Sequence, residues 1–221
     1  MFEIWIISLV HAPSILYLSA DEQGRAAQFR FEPDRVRYQR SHSALRAILS
    51  TITGVDPLAL QVDVYPHGKP YLLNADVHFN LSHAGEIALC AVADVPVGVD
   101  VEYVRPIPEW RDIAVMIYSQ QECAELEATP AVQRDLTFLN IWTRKEAIIK
   151  ATGEGFHSDL HLSGFSVPTV PAPTVAHLGS VAIAHQPYSL AAFQPADGYL
   201  GAAALQTDRP ILPTLRSFNA V

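Results

Sequence analysis

The sequence predicts an α+β fold. Strand-like and helix-like stretches come in mixed order rather than in strict alternation, which separates the chain from a doubly wound α/β protein. Its 221 residues are 49% hydrophobic and 17% charged, enough apolar material to bury a real core. Pro106 and Pro108 mark a break in composition, which sets expected halves at 1–104 and 105–221.

Met1 to Val10 reads as a buried strand. It is not expected to be a signal peptide, because Glu3 sits where a positive charge should be and His11 and Pro13 interrupt the apolar run. Asp34 is expected to cap a helix over about 35–53, with Gly54 as its stop. Val62, Val64 and Tyr65 suggest a short strand, and His67-Gly68-Lys69-Pro70 a turn. Strand patterns follow at 78–82, 86–93 and, most clearly, 97–103. In the last, Val97, Val99, Val101 and Tyr103 share one face, while Gly98, Asp100 and Glu102 share the other.

The second half opens with helices. One covers about 109–118; Ser119 starts another; Thr129 as cap with Pro130 at the first helical position starts a long third that stops at Gly153. After a Pro-rich stretch from Pro168 to Pro173, the segments 188–193 and 199–205 are expected to pair as strands.

Charge and cysteine content exclude several classes. A net charge of -8 argues against a nucleic-acid surface over the whole molecule, although six of the fifteen basic residues lie between Arg25 and Arg46 and leave room for a local anionic ligand. Cys90 and Cys123 form no metal pattern or disulfide framework, which fits a reducing cytoplasm. No apolar run approaches the roughly eighteen residues of a membrane-crossing helix, so a cytoplasmic protein without membrane or nucleic-acid partners is expected.

Three segments offer chemistry. Asp100 and Glu102 on one strand face can both reach a hard cation such as Mg²⁺, and Gly98 would leave space for a bulky ligand. The plainer reading is the solvent face of a half-buried strand, which for this segment alone comes first. In Trp142-Thr143-Arg144-Lys145-Glu146-Ala147-Ile148-Ile149-Lys150, helical spacing gathers Trp142, Lys145, Glu146, Ile149 and Lys150 on one side, with Glu146 and Lys150 as an i,i+4 pair. Such a mixed face is less amphipathic than a plain surface helix. The chain has only three lysines against twelve arginines: Lys69, Lys145 and Lys150. An ammonium is a compact charge suited to phosphate oxygens.

Ser82-His83 at a strand end could contact a phosphate. It is no hydrolytic pair, because strand neighbours point apart and no G-x-S-x-G elbow exists. His157 and His161 lack the glutamate of a zinc H-E-x-x-H motif and are discounted, and no Walker A or G-x-G-x-x-G loop is present. Ser119-Gln120-Gln121-Glu122 fits a capping box, so Glu122 is either structural or functional.

These segments, in order, resemble the Sfp-type (surfactin-type) 4′-phosphopantetheinyl transferases. The resemblance runs through Gly68-Lys69-Pro70-Tyr71, Phe79-Asn80-Leu81-Ser82-His83, Gly98-Val99-Asp100-Val101-Glu102 and Trp142-x-x-Lys145-Glu146-x-x-x-Lys150. It reaches weakly to Phe29 and Arg46 upstream and to Gly153-Glu154-Gly155-Phe156 downstream, covering about residues 22–165.

The resemblance implies two similar α+β halves with coenzyme A at their junction. It implies Mg²⁺, with Mn²⁺ as a substitute, held by Asp100, Glu102 and Glu146, and Lys150 on the attacked phosphate. Lys69, Ser82 and His83 would meet the phosphates and ribose end, and Arg25 and Arg37 the adenosine-side phosphate. Glu122 falls where a metal-linked glutamate or proposed base lies, which leaves the base open between Glu122 and Glu146. Two positions depart from the family pattern: Glu22 stands where a basic residue is expected three places before Arg25, and Tyr38 replaces a small hydroxyl residue. The implied reaction moves the phosphopantetheine arm to a serine of an apo acyl or peptidyl carrier protein, with the enzyme a monomer. The alternative is a non-catalytic module that binds coenzyme A or a carrier protein.

Overall fold

A computed structural model describes residues 1–10, 16–73, 75–155, 162–171 and 174–218. His157 and His161 lie outside the described residues. In chain order the elements are β1 (Phe2–Ser8), α1 (Ala20–Ala27), α2 (Glu32–Thr53), β2 (Val62–Val64), β3 (Pro70–Leu72), β4 (His78–Ala84), β5 (Ile87–Ala93) and β6 (Val97–Tyr103). There follow α3 (Trp110–Ile117), α4 (Gln120–Ala128), α5 (Ala131–Thr152), a short 3₁₀ turn (Leu162–Gly164), β7 (Ala176–Ile183), β8 (Gln186–Phe193), β9 (Tyr199–Gln206) and β10 (Thr214–Phe218). The α+β class is as expected.

Two four-stranded sheets form, in the orders β10-β1-β5-β4 and β6-β9-β8-β7, with β2-β3 as a separate hairpin. All pairings inside the sheets are antiparallel except β1 with β10. Strands 188–193 and 199–205 pair as expected, within β8 and β9. Strands cross the Pro106 break in both directions: β6 joins the second sheet, and β10 returns to the first.

Alternate residues of each strand serve different cores, which stacks the molecule as helix, sheet, sheet, helix. Leu89 and Ala91 of β5 meet Val97, Val99 and Val101 of β6 and Phe193 of β8 between the sheets. Ala88, Cys90 and Val92 of β5 instead face Leu45, Ile48 and Leu49 of α2. On the far side, Phe138, Ile141, Ile148 and Ile149 of α5 pack on Leu190, Ala202 and Ala204. Burial of such side chains is worth about 1.5–3 kcal/mol each.

Several boundaries shift for identifiable reasons. Asp34 does not cap α2: the helix begins at Glu32 after extended Phe31, and Pro33 in the first turn is tolerated because those amides have no helical partner. The cap of α5 is Pro130 rather than Thr129, which closes α4 instead. Gly54 and Gly153 end their helices in the left-handed conformation, with φ of 73° and 75°, as expected.

Candidate active site

The site forms where the edge strands β4 and β6 of the two sheets meet beside the last turns of α5. Asn80 on β4 joins those edges, its side-chain oxygen accepting from Val99 N–H at 2.9 Å. Two residues further along, Ser82 Oγ donates to Asp100 Oδ1 at 2.8 Å. Lys150, in the last turn of α5, completes a triangle: its Nζ is 2.6 Å from Asp100 Oδ1 and 3.0 Å from Ser82 Oγ. Three residues drawn from separate motifs therefore touch.

The face carrying Gly98, Asp100 and Glu102 is not a solvent face. Asp100 is 5% exposed, Gly98 is also buried and Glu102 is half-buried. The space beside Gly98 belongs to α5 and not to a ligand: a Cβ there would lie 2.0 Å from Ala147 O and 2.3 Å from Ala151 N. The glycine thus lets helix backbone rest on strand backbone, which brings Glu146 and Lys150 of α5 to Asp100. The sequence pattern revealed the shared face but not the helix that covers it.

Burial acts on three carboxyls, and like charge adds to it on two of them. Burial pushes the Asp100 carboxyl above the usual range, opposed by the Lys150 ammonium and the Ser82 hydroxyl. Glu102 is also raised, by burial and then by Asp100, while Arg105 and Trp142 pull the other way. It accepts from Trp142 Nε1 and from Arg105, each at 3.1 Å. Glu146, 6% exposed, is pushed up to about 7, chiefly by burial; Lys150 opposes the shift and Asp100 and Glu102 add to it. Its i,i+4 neighbour Lys150 makes its ion pair with Asp100 instead.

The basic residues extend from this cluster. His83 is exposed at the end of β4, its imidazole held below the usual range by partial burial, then by Lys150 and Arg37, with Asp34 opposing. Arg37 pairs with Asp34 at 2.9 Å on the surface. Arg25 lies over the Tyr38 ring at 5.9 Å, and Tyr38 stacks on His42 at 3.8 Å. Burial foremost holds His42 low, with Arg25 and His83 among its charged neighbours. Arg25, His42, His83, Arg37 and Lys150 thus form one run of basic side chains, the two imidazoles held low by burial and by the cations near them, whose donors suit an extended anion.

Other expected site residues have structural partners. Lys69 Nζ donates to Val97 O at 3.0 Å and Ala151 O at 2.8 Å, tying the hairpin to β6 and α5; burial lowers its ammonium to about 8. One of its three protons stays uncommitted to these carbonyls. Glu122, 1% exposed, accepts from Ser119 N–H and Val167 N–H, both at 2.8 Å, and pairs with Lys145 at 2.9 Å. Lys145 therefore does not share the side of Glu146. Its ammonium turns to Glu122, to Leu162 O and to Phe165 O.

The departure at Glu22 also has a structural account. Its carboxylate accepts from Ser19 N–H at 2.7 Å, closing a capping box on α1, and pairs with buried Arg46 at 2.6 Å. Arg46 further donates to Pro57 O at 2.8 Å and Leu60 O at 3.2 Å. Arg40 is held by the carbonyls of Leu9 and Val10, and Arg35 by Glu32. Arg25 is exposed over the Tyr38 ring, and Arg37 lies near enough to His83 to lower its imidazole.

A hard cation fits the donor set, which is all carboxylate oxygen. Asp100 Oδ2 is buried without a hydrogen-bond partner, an acceptor awaiting a ligand or ion. Among the described residues, however, no three His, Cys, Asp or Glu side chains already converge as a formed metal centre. Among the same residues, no helix is long and apolar enough to cross a membrane.

Fold and site together define an α+β protein with a carboxylate–lysine pair where the edges of its two sheets meet. Residues 96–203 match the family model described as the 4′-phosphopantetheinyl transferase superfamily, and residues 10–94 match the one described as 4′-phosphopantetheinyl transferase, N-terminal. The chain is 36% identical over 160 residues to the 4′-phosphopantetheinyl transferase HetI of Nostoc sp., an alignment covering 70% of this chain and 68% of that protein. It is 33% identical over 151 residues to a 4′-phosphopantetheinyl transferase of Bacillus subtilis, covering 68% and 66%. A longer alignment, 93% of this chain and 90% of the relative, joins it at 26% identity to the 4′-phosphopantetheinyl transferase ffp of Bacillus subtilis. The chain belongs to the 4′-phosphopantetheinyl transferase superfamily.

Proposed function

We propose that this protein is an Sfp-type enzyme that transfers 4′-phosphopantetheine from coenzyme A to a serine hydroxyl of an apo acyl or peptidyl carrier protein, releasing 3′,5′-ADP. The observation that carries the reading is the buried triangle of Ser82, Asp100 and Lys150 beside Glu102 and Glu146. A module that only bound coenzyme A would not need three carboxylates crowded against one another in a desolvated cleft.

Asp100, Glu102 and Glu146 are the residues that would hold Mg²⁺. When bound, the cation neutralises charge on the pyrophosphate and on the departing ADP. Lys150 and Ser82 supply hydrogen-bond donors for the phosphate under attack, Lys150 adding positive charge where negative charge builds up. His83, Arg37 and Arg25 continue the donor path toward the adenosine-side phosphate. The carrier serine must lose its proton as it attacks, and we assign its acceptance to Glu146. Of the two candidates it is the one that lies among the charges of Asp100, Glu102 and Lys150. Glu122 suits the role less, because two backbone amides and Lys145 already engage its oxygens. Both sides of the cleft come from one chain, which supports a monomer.

The test is to incubate the protein with apo-carrier proteins, coenzyme A and Mg²⁺, and to weigh each carrier. A gain of one phosphopantetheinyl group is expected. No gain across several carriers rejects the enzyme reading. Asp100→Ala is expected to abolish the gain while circular dichroism shows a folded protein, and normal turnover in that variant rejects the role given to Asp100.

A further inference from the structure

One oxygen of Asp100 and the ammonium of Lys150 are engaged with each other, yet a cation and a phosphate would need them separately. Lys150 Nζ sits 2.6 Å from Asp100 Oδ1, and Ser82 Oγ, which donates to that same oxygen, accepts from Lys150 at 3.0 Å. Asp100 Oδ2 remains buried and unpartnered. No formed three-ligand metal centre exists among the described residues, although Asp100 lies close enough to raise the proton affinity of Glu102, and both that of Glu146. The arrangement is what a buried acid requires when, among the described residues, the countercharge acting on it is a lysine.

We infer that Lys150 is a latch: in the ligand-free protein its ammonium holds the place of the cation at Asp100, and its capture by a phosphate group frees Asp100 for a divalent cation, so that the two ligands bind cooperatively. The identity of the phosphate as coenzyme A rests on the function proposed above; the latch itself does not.

The geometry suits such an exchange. Lys150 is on the last turn of α5, its side chain 28% exposed while that of Asp100 is 6% exposed, so the lysine is the partner with room to move. Its four-carbon stem and three donors allow it to leave one oxygen and meet another without moving the helix. Ser82 touches both partners and keeps a donor on Asp100 while the lysine departs. After the exchange every charge has a new partner: ammonium with phosphate, and carboxylates with the cation. Linkage then requires the effect to be reciprocal, each ligand strengthening the other.

Two binding measurements test this without following transfer. The first titrates Mn²⁺ into phosphate-free protein and reads bound ion by electron paramagnetic resonance. Lys150→Met is expected to bind Mn²⁺ more tightly than wild type, within the about 5–150-fold span of coupled sites. Arg37→Met removes a surface positive charge that acts on His83 beside Lys150 but leaves the Asp100 pair intact, and should change affinity little. Equal effects of the two variants overturn the latch, because they would reflect charge alone.

The second titrates coenzyme A in EDTA. Asp100→Asn releases Lys150 and is expected to tighten metal-free coenzyme A binding, whereas Glu102→Gln removes a similar charge without releasing it and should not. Equal behaviour of those two variants also overturns the latch. Melting curves check folding, and if Lys150→Met does not fold, the Asp100→Asn comparison decides alone. If wild type binds no coenzyme A in EDTA or with Mg²⁺, the coenzyme A reading fails, and the Mn²⁺ titration still decides the latch.

Discussion

Lys145 and Glu122 form an ion pair of 2.9 Å in which both side chains are sealed from solvent, at 0% and 1% exposure. The pair joins α5 to the start of α4, and its remaining hydrogen bonds fasten the backbone of residues 162–167. It lies beside the reaction site in sequence, since Glu146 follows Lys145, but it faces the other way. Removing one partner leaves the other charge buried alone, which typically costs about 3–5 kcal/mol. Glu122→Gln is therefore expected to lower stability by about that amount in urea denaturation while keeping turnover per folded molecule. Full stability with lost turnover would return Glu122 to the chemistry.

Gly98 is the point at which α5 touches β6. Replacing it with Ala puts a methyl group into the backbone of Ala147 and Ala151, which cannot yield as the end of a side chain can. Overpacking of a core costs typically about 1–3 kcal/mol, and a clash with helix backbone belongs at or above the upper end. Gly98→Ala is expected to lose at least that much stability in urea, and transfer should fall as well because the shift carries Glu146 and Lys150 away from Asp100. A variant as stable and active as wild type would mean that the helix and strand are not in this contact.

What was legible in the sequence was local. The stops at Gly54 and Gly153, the capping box of Ser119 and Glu122, and the alternation of Val97 to Tyr103 all depend on neighbours within a few residues. The face of β6 that looked solvent-exposed was misjudged because alternation shows two faces without saying what covers the second. The strands β7 and β10 escaped notice: β7 carries a bulge between His177 and Gly179, and β10 pairs in parallel with β1 from the opposite end of the chain. In the site, Ser82, Asp100 and Lys150 come from three elements, and spacing alone could not join them. Their ordered motifs did so only through family resemblance. The ion-pair partners of Lys145 and Glu22, which are Glu122 and Arg46, could not be read at all, since each lies on another element.

The Glu22 pair with Arg46 makes a sharper statement than a missing phosphate ligand. Glu22→Lys would install the basic residue that the family pattern expects three positions before Arg25. Here it would face Arg46, which is buried and otherwise held by two carbonyls, and it would break the capping box on α1. The cap alone is worth about 1 kcal/mol, and the unpaired guanidinium adds about 3–5 kcal/mol. Glu22→Lys is expected to destabilise the protein by several kcal/mol in urea, with no gain in coenzyme A affinity for the fraction that remains folded. Tighter coenzyme A binding in a stable variant would show that Glu22 displaces a phosphate contact.

Glu146 makes stability depend on pH in a direction opposite to that of an ordinary surface carboxylate. Its folded value of about 7 lies above the usual 4.5, with burial the main cause. Between those values the folded form keeps a proton that the unfolded chain has released, so the unfolded state binds fewer protons and stability falls as pH rises. The contribution is fully present below about pH 4.5 and gone above about pH 7; at 1.36 kcal/mol per pH unit it amounts to about 3 kcal/mol. In EDTA, Glu146→Gln should remove that part of the slope and be the more stable protein at pH 8, although inactive in transfer. Asp100 and Glu102 add slopes of the same sign, so the quantity to measure is the difference between wild type and Glu146→Gln across pH 4.5 to 8. Parallel curves would mean that Glu146 is already ionised in the folded protein and that burial does not raise its proton affinity.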